Sequence, residues 1–88
     1  MKNKPYLEYF KNGYYYRTFN VDLDNIEFVW HRDSEDRIVE SLENTDWLFQ
    51  FDNKLPMNID GKIFIPKNTY HRIIKGSNRD LKIKMKKI

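Results

Sequence analysis

Three side chains have the types and spacing for chemistry: His31, Asp33 and His71, the chain's two histidines and one carboxylate beside the first. His31 and Asp33 are two positions apart, and on a β-strand such residues project from the same face. His71 lies 38 positions beyond Asp33, at the start of a second strand-like segment. If the two segments are neighbours, an imidazole, a carboxylate and a second imidazole converge. A 2-His-1-carboxylate set of this kind holds a divalent metal from one side and leaves positions open for substrate or dioxygen. It suits non-haem Fe(II), with Mn, Ni, Co or Zn as substitutes. Nucleophilic chemistry has less support. Ser34 and Ser41 have no second histidine arranged as an activating base, and the three glycines read as turn residues, not as a phosphate-cradling loop.

The elements that must position these residues are strands. A chain of 88 residues makes one domain. It contains no cysteine, so neither disulfides nor a Cys-ligated zinc can supplement the core. It contains no alanine, the strongest helix former. Nine isoleucines and fourteen aromatic residues favour pleated, half-buried surfaces instead. No apolar run approaches the roughly 18 residues of a membrane helix. No leader pattern opens the sequence, so a soluble, cytoplasmic protein is expected.

Turn signals divide the chain into about eight short segments. Asn12-Gly13 is a strong hairpin signal between Tyr6–Phe10 and Tyr14–Val21. Ile26–His31 alternates, with Ile26, Phe28 and Trp30 on one face and Val29 and His31 on the other. Further strands are expected over Arg37–Leu42, Trp47–Phe51, Met57–Ile59, Lys62–Ile65, Tyr70–Ile74 and Leu81–Met85. Asn44 is expected in a left-handed turn, and Glu35-Asp36 in a solvated loop. Ile63, Ile65, Leu81, Ile83 and Met85 are expected to face inward. Trp47, Phe49 and Phe51 share a face and are read as inward, ligand-facing walls.

Charge is uneven: the net +3 combines basic ends with a −8 stretch over residues 20–60. A nucleic-acid binder usually concentrates its basic residues on one face. An OB-like single-strand binder stacking bases on Tyr14–Tyr16 is therefore a weak alternative, and nucleic acid is not the expected partner.

Around the chemistry-bearing residues the sequence resembles the cupin superfamily. One cupin motif runs Gly, a short apolar strand, Pro, one residue, Gly, two residues, His. Here it stands as Gly61-Lys62-Ile63-Phe64-Ile65-Pro66-Lys67-Asn68-Thr69-Tyr70-His71, with Asn68 replacing the second Gly. The other motif, His-x-His, a spacer and Glu, stands as His31-Arg32-Asp33 followed by Ser34-Glu35-Asp36-Arg37, with Asp33 at the second His and Arg37 at the Glu. The likeness covers about residues 20–88.

The resemblance implies an all-β, single-domain jelly-roll barrel of about eight short antiparallel strands. Its core would span residues 20–88, with a hairpin over residues 1–19 packed on the barrel or on a partner subunit. It implies a metal held by His31, Asp33 and His71. Arg37 cannot ligate. Either it salt-bridges Asp33 in a metal-free site, or it anchors a small anionic ligand beside the metal. A metal-free pocket could serve as a binding module, or use a His–Asp dyad as general base in isomerase or epimerase chemistry. Ile26, Phe28 and Trp30 need cover from the hairpin Tyr6–Phe19 or from a second subunit, and the resemblance implies a homodimer. No organic cofactor and no membrane partner are indicated.

Overall fold

The computed structural model describes residues 6–22, 29–77 and 79–88. They form eight strands: β1 (Tyr6–Lys11), β2 (Tyr14–Phe19), β3 (Arg37–Ser41), β4 (Leu48–Phe51), β5 (Met57–Asn58), β6 (Lys62–Ile65), β7 (His71–Ile74) and β8 (Leu81–Lys87). These make a five-stranded sheet in the order β1-β2-β8-β3-β6 and a three-stranded sheet in the order β5-β4-β7, antiparallel throughout. Among the described residues no helix is long and apolar enough to cross a membrane.

Period-two alternation explains the layers. In β8, Leu81, Ile83 and Met85 are buried while Lys82 and Lys86 are exposed. In β6, Ile63 and Ile65 point inward and Lys62 and Phe64 outward. The smaller sheet contributes Phe49 and Ile73, and Trp47 and Phe19 close the core at 0% exposure each. Fully burying a side chain such as Leu81 contributes about 2 kcal/mol.

The first hairpin turns at Asn12 (φ 53°) and Gly13 (φ 87°), both left-handed as a tight two-residue connection requires. β2 pairs directly with β8, from Phe19 opposite Leu81 to Tyr15 opposite Met85, so the hairpin extends the sheet edge to edge. Phe19 thereby enters the core, and β1 becomes an outer edge with Leu7, Tyr9 and Phe10 exposed.

Other expectations are corrected locally. Of the strand expected over Ile26–His31, Ile26 and Phe28 lie outside the described residues. His31 forms a single antiparallel bridge to His71. Val29, expected on the same face as His31, is 55% exposed. Its carbonyl is drawn toward the His31 ring, which turns the side chain out. Trp30 faces outward and is covered by the guanidinium of Arg72, 4.8 Å from its ring centre. Arg72 is itself half-buried and donates to Gln50 Oε1 at 2.9 Å. Asn44 is not left-handed; hydroxyl-closed turns at Ser41–Glu43 and Thr45–Trp47 reverse the chain instead. Gly76 is a close-approach residue, since a Cβ there would strike the Asp46 carboxylate and the Trp47 indole.

Candidate metal centre

Backbone pairing creates the site. His31 N–H donates to His71 O at 3.0 Å and His71 N–H donates back to His31 O at 2.9 Å. This reciprocal pair, at the outer edge of β7, sets the two imidazoles side by side with ring centres 4.4 Å apart. Each ring is then oriented in the same way. His31 Nδ1 lies 2.9 Å from Val29 O, and His71 Nδ1 lies 2.8 Å from Thr69 O. A carbonyl only accepts, so Nδ1 carries a hydrogen in both rings, and in His71 Nε2 is the nitrogen turned toward Asp33. Metal-binding histidines are commonly held this way, the ring N–H on a carbonyl and the other nitrogen toward the ion. His71 is 4% exposed and stacks on Phe49, with ring centres 5.4 Å apart.

Asp33 completes the cluster. Its carbonyl accepts from Asn68 N–H at 2.7 Å, and Asn68 reaches it in the left-handed conformation, φ 61°. Asparagine thus does here what the motif's glycine does, because its short polar side chain tolerates that region. The carboxylate turns inward. Asp33 Oδ2 stands 3.4 Å from His71 Nε2 and 3.3 Å from Arg37 Nη1. It is buried, and neither neighbour completes a hydrogen bond to it, so both contacts are electrostatic. Burial alone would push its carboxyl up. The approach of His71, the Arg37 charge and a weaker contribution from His31 outweigh that and hold it below the ordinary value of 3.8.

One ligand atom from each of His31, Asp33 and His71 can be chosen so that all lie within 4.8 Å of one another. Ligands at about 2.0–2.2 Å from a common ion sit roughly 3–3.5 Å apart, so small side-chain rotations close the set. The donor chemistry fits a cation. A buried carboxylate oxygen and the Nε2 of His71 stand 3.4 Å apart, a pair that a shared proton or a metal ion can join.

The remaining candidates separate. Arg37 Nε and Nη2 bind Glu35 Oε2 at 2.7 and 2.6 Å, while Nη1 faces Asp33, so carboxylates of its own chain engage it. Glu35-Asp36 is accordingly not a solvated loop. Asp36 Oδ1 accepts from Lys67 N–H at 2.8 Å, and its carbonyl accepts from Ile88 N–H at 2.9 Å, tying this loop to the turn before β7 and to the end of β8. Beside His71, Asp33 and Arg37 lies a cavity of about 30 Å³, walled chiefly by Ile63, Ile65, Phe49 and Met85. Of the three aromatic residues read as ligand walls, Phe49 lines it. Trp47 and Phe51 do not: Trp47 is pulled into the core by its Nε1–H bond to Arg79 O at 2.6 Å, and Phe51 packs edge-on against Phe49. Arg17 also reaches the cavity, paired with Glu8 at 2.6 Å. Sequence reasoning misses Glu35 and the two orienting carbonyls, since a main-chain acceptor leaves no mark in residue types.

No family model and no curated protein matches the chain. Solved structures do. A protein from Neisseria meningitidis superposes with a TM-score of 0.63 at 13% identity, over 100% of this chain and 88% of that one. A cupin domain from Bordetella pertussis Tohama I gives 0.62 at 15% identity, over 100% and 98%. A cupin-2 domain-containing protein from Shewanella frigidimarina NCIMB 400 gives 0.61 at 20% identity, over 96% and 81%.

Proposed function

We propose that this chain, a small cupin by fold, binds one divalent metal ion through His31, Asp33 and His71, with a small anion as co-ligand. The observation that carries this reading is the buried Asp33 Oδ2 facing imidazoles whose Nδ1 hydrogens are already committed to carbonyls. When bound, a divalent ion would supply Lewis acidity and, if iron, redox chemistry toward a small ligand. The protein's part is then positioning and exclusion. Val29 O and Thr69 O fix the tautomers, Arg37 and Glu35 hold the Asp33 loop, and Phe49 and Ile65 keep bulk water from His71.

Cavity size limits the ligand. Pockets for drug-sized molecules measure about 300–1,000 Å³. A space of about 30 Å³ holds only one or two water-sized groups. The co-ligand is therefore a species of few heavy atoms. Arg17 and Arg37 at the cavity favour an anion that competes with Glu8 or Glu35 for their donors. The metal-free dyad reading is weaker on geometry. A dyad base needs one nitrogen on the carboxylate and the other free for substrate, whereas the second nitrogen of His71 is bound to Thr69 O.

The test is elemental analysis and metal titration of protein prepared without a polyhistidine tag. Stoichiometric Fe, Mn, Ni, Co or Zn is expected, falling by about 10–100-fold in affinity or more in His71→Ala and Asp33→Ala. Arg37→Glu removes a cation beside the ligands and adds a carboxylate, and is expected to tighten binding about tenfold. Metal-free wild type that takes up none of these ions, or binding indifferent to both ligand substitutions, overturns the proposal.

A further inference from the structure

The outer face of the five-stranded sheet carries a pattern the metal centre does not use. Strand register aligns Tyr9, Tyr16, Lys84, Glu40 and Lys62 in one row across all five strands. A neighbouring row holds Lys11, Tyr14, Lys86, Ile38 and Phe64, and Lys82 stands beyond them opposite Thr18. In sequence these lysines are scattered from position 11 to position 86, which makes the basic excess look divided between the chain ends. Pairing of β8 between β2 and β3 collects them. Five lysines then face one strand glutamate, a surplus larger than the +3 of the whole chain.

Aromatic rings are interleaved with these charges. Tyr9 and Tyr16 stack with ring centres 5.0 Å apart and planes 9° from parallel. Tyr14 carries the ammonium groups of Lys84 and Lys86 at 4.7 and 5.8 Å from its ring centre. Tyr14, Ile38, Glu40, Lys62, Lys84 and Lys86 border a surface groove of about 230 Å³. Strands about 4.8 Å apart make the five-stranded face about 19 Å wide.

We propose that this face binds single-stranded nucleic acid, with phosphates on the lysines and bases stacked on Tyr9, Tyr14 and Tyr16. Positive charge alone would suit any polyanion. The rings favour a single strand, because its unpaired bases offer π-faces that a duplex keeps stacked inside. The ammonium groups resting on Tyr14 are the cations an incoming phosphate draws off, opening the ring to a base. The surface lies on the opposite side of the sheet from the cavity, so it stands independently of the metal reading.

The test is fluorescence anisotropy of a labelled oligothymidylate of about 15 nucleotides, in about 50 mM salt. Saturable binding is expected, with log affinity falling against log salt at a slope of about −2, as for three lysine contacts to a single strand. Replacing Lys82, Lys84 and Lys86 together by Gln is expected to cost tenfold or more. Tyr9→Leu with Tyr16→Leu is expected to cost about fivefold or more, with metal content unchanged. No binding at about 100 μM protein, the weak end of non-specific association, overturns the proposal. So does equal binding of duplex DNA or of phosphatidylserine vesicles, or tyrosine substitutions without effect. Sedimentation as a dimer that the lysine substitutions abolish also overturns it, since the face would then serve a second copy of the chain.

Discussion

Asp33 is where most of the site's electrostatics meet. Burial raises its carboxyl, while His71, Arg37 and His31 lower it further, leaving it below the ordinary 3.8. A group depressed in the folded state stabilises the fold above its unfolded value, and that stabilisation is lost as pH falls through the folded one. In chelator-treated protein, wild type is therefore expected to be more stable than Asp33→Asn at pH 7. The two should converge as pH drops below about 4, and urea unfolding at stepped pH measures this. The pairing of Asp33 with His31 was legible from the two-residue offset, and their meeting with His71 only through the cupin-like motifs around them. Arg37 was legible as a group unable to bind metal, but its tie to Glu35 was not, because a solvated and a paired carboxylate look alike in sequence. The ring tautomers were invisible for a simpler reason: any residue supplies a carbonyl, so Val29 and Thr69 carry no signal.

Strand by strand, the readable parts were those with a period or a turn. Ile63 and Ile65, then Leu81, Ile83 and Met85, alternate with lysines and a phenylalanine, and they bury as that alternation requires. Asn12-Gly13 likewise specified its hairpin. The destination of that hairpin was not readable, because joining a sheet edge or covering a sheet face demands the same amphipathic strands. Trp47, Phe49 and Phe51 turn inward together as expected, but only Phe49 meets the cavity. Sharing a face on one strand does not decide which part of that face meets a cavity, and the Trp47 bond to Arg79 O removed it. That bond also makes the adjacent segment intolerant of volume. Trp47 cannot retreat from a methyl group at Gly76, so Gly76→Ala is expected to cost about 2 kcal/mol as an overpacked site. Equilibrium urea unfolding should show a lower midpoint with an unchanged slope; a loss under about 0.5 kcal/mol would mean the indole moves freely.

Taken whole, the molecule rests on a core small for its job. An 88-residue domain without disulfides leaves little margin, so an ion that binds only the folded state shifts its stability visibly. At 100 times its dissociation constant an ion adds about 2.7 kcal/mol. In a chain of this size that raises the thermal midpoint by roughly 10 °C or more. Scanning calorimetry with and without chelator is expected to show this rise in wild type and not in His71→Ala. The same scale explains why charge was misleading in one dimension: only the folded register reveals that the lysines share a surface.

The order of the larger sheet has a consequence for how the chain is made. β2 waits for β8, and Phe19 waits for Leu81, its partner 62 positions later. At roughly 5–20 residues per second, a ribosome takes about 3–12 s to deliver that partner. Throughout that interval the nascent hairpin offers Phe19 without the core that buries it, beside Leu7, Tyr9 and Phe10, which stay exposed even in the finished fold. Yield during expression should therefore depend on chaperone supply and growth temperature more steeply than the finished fold suggests.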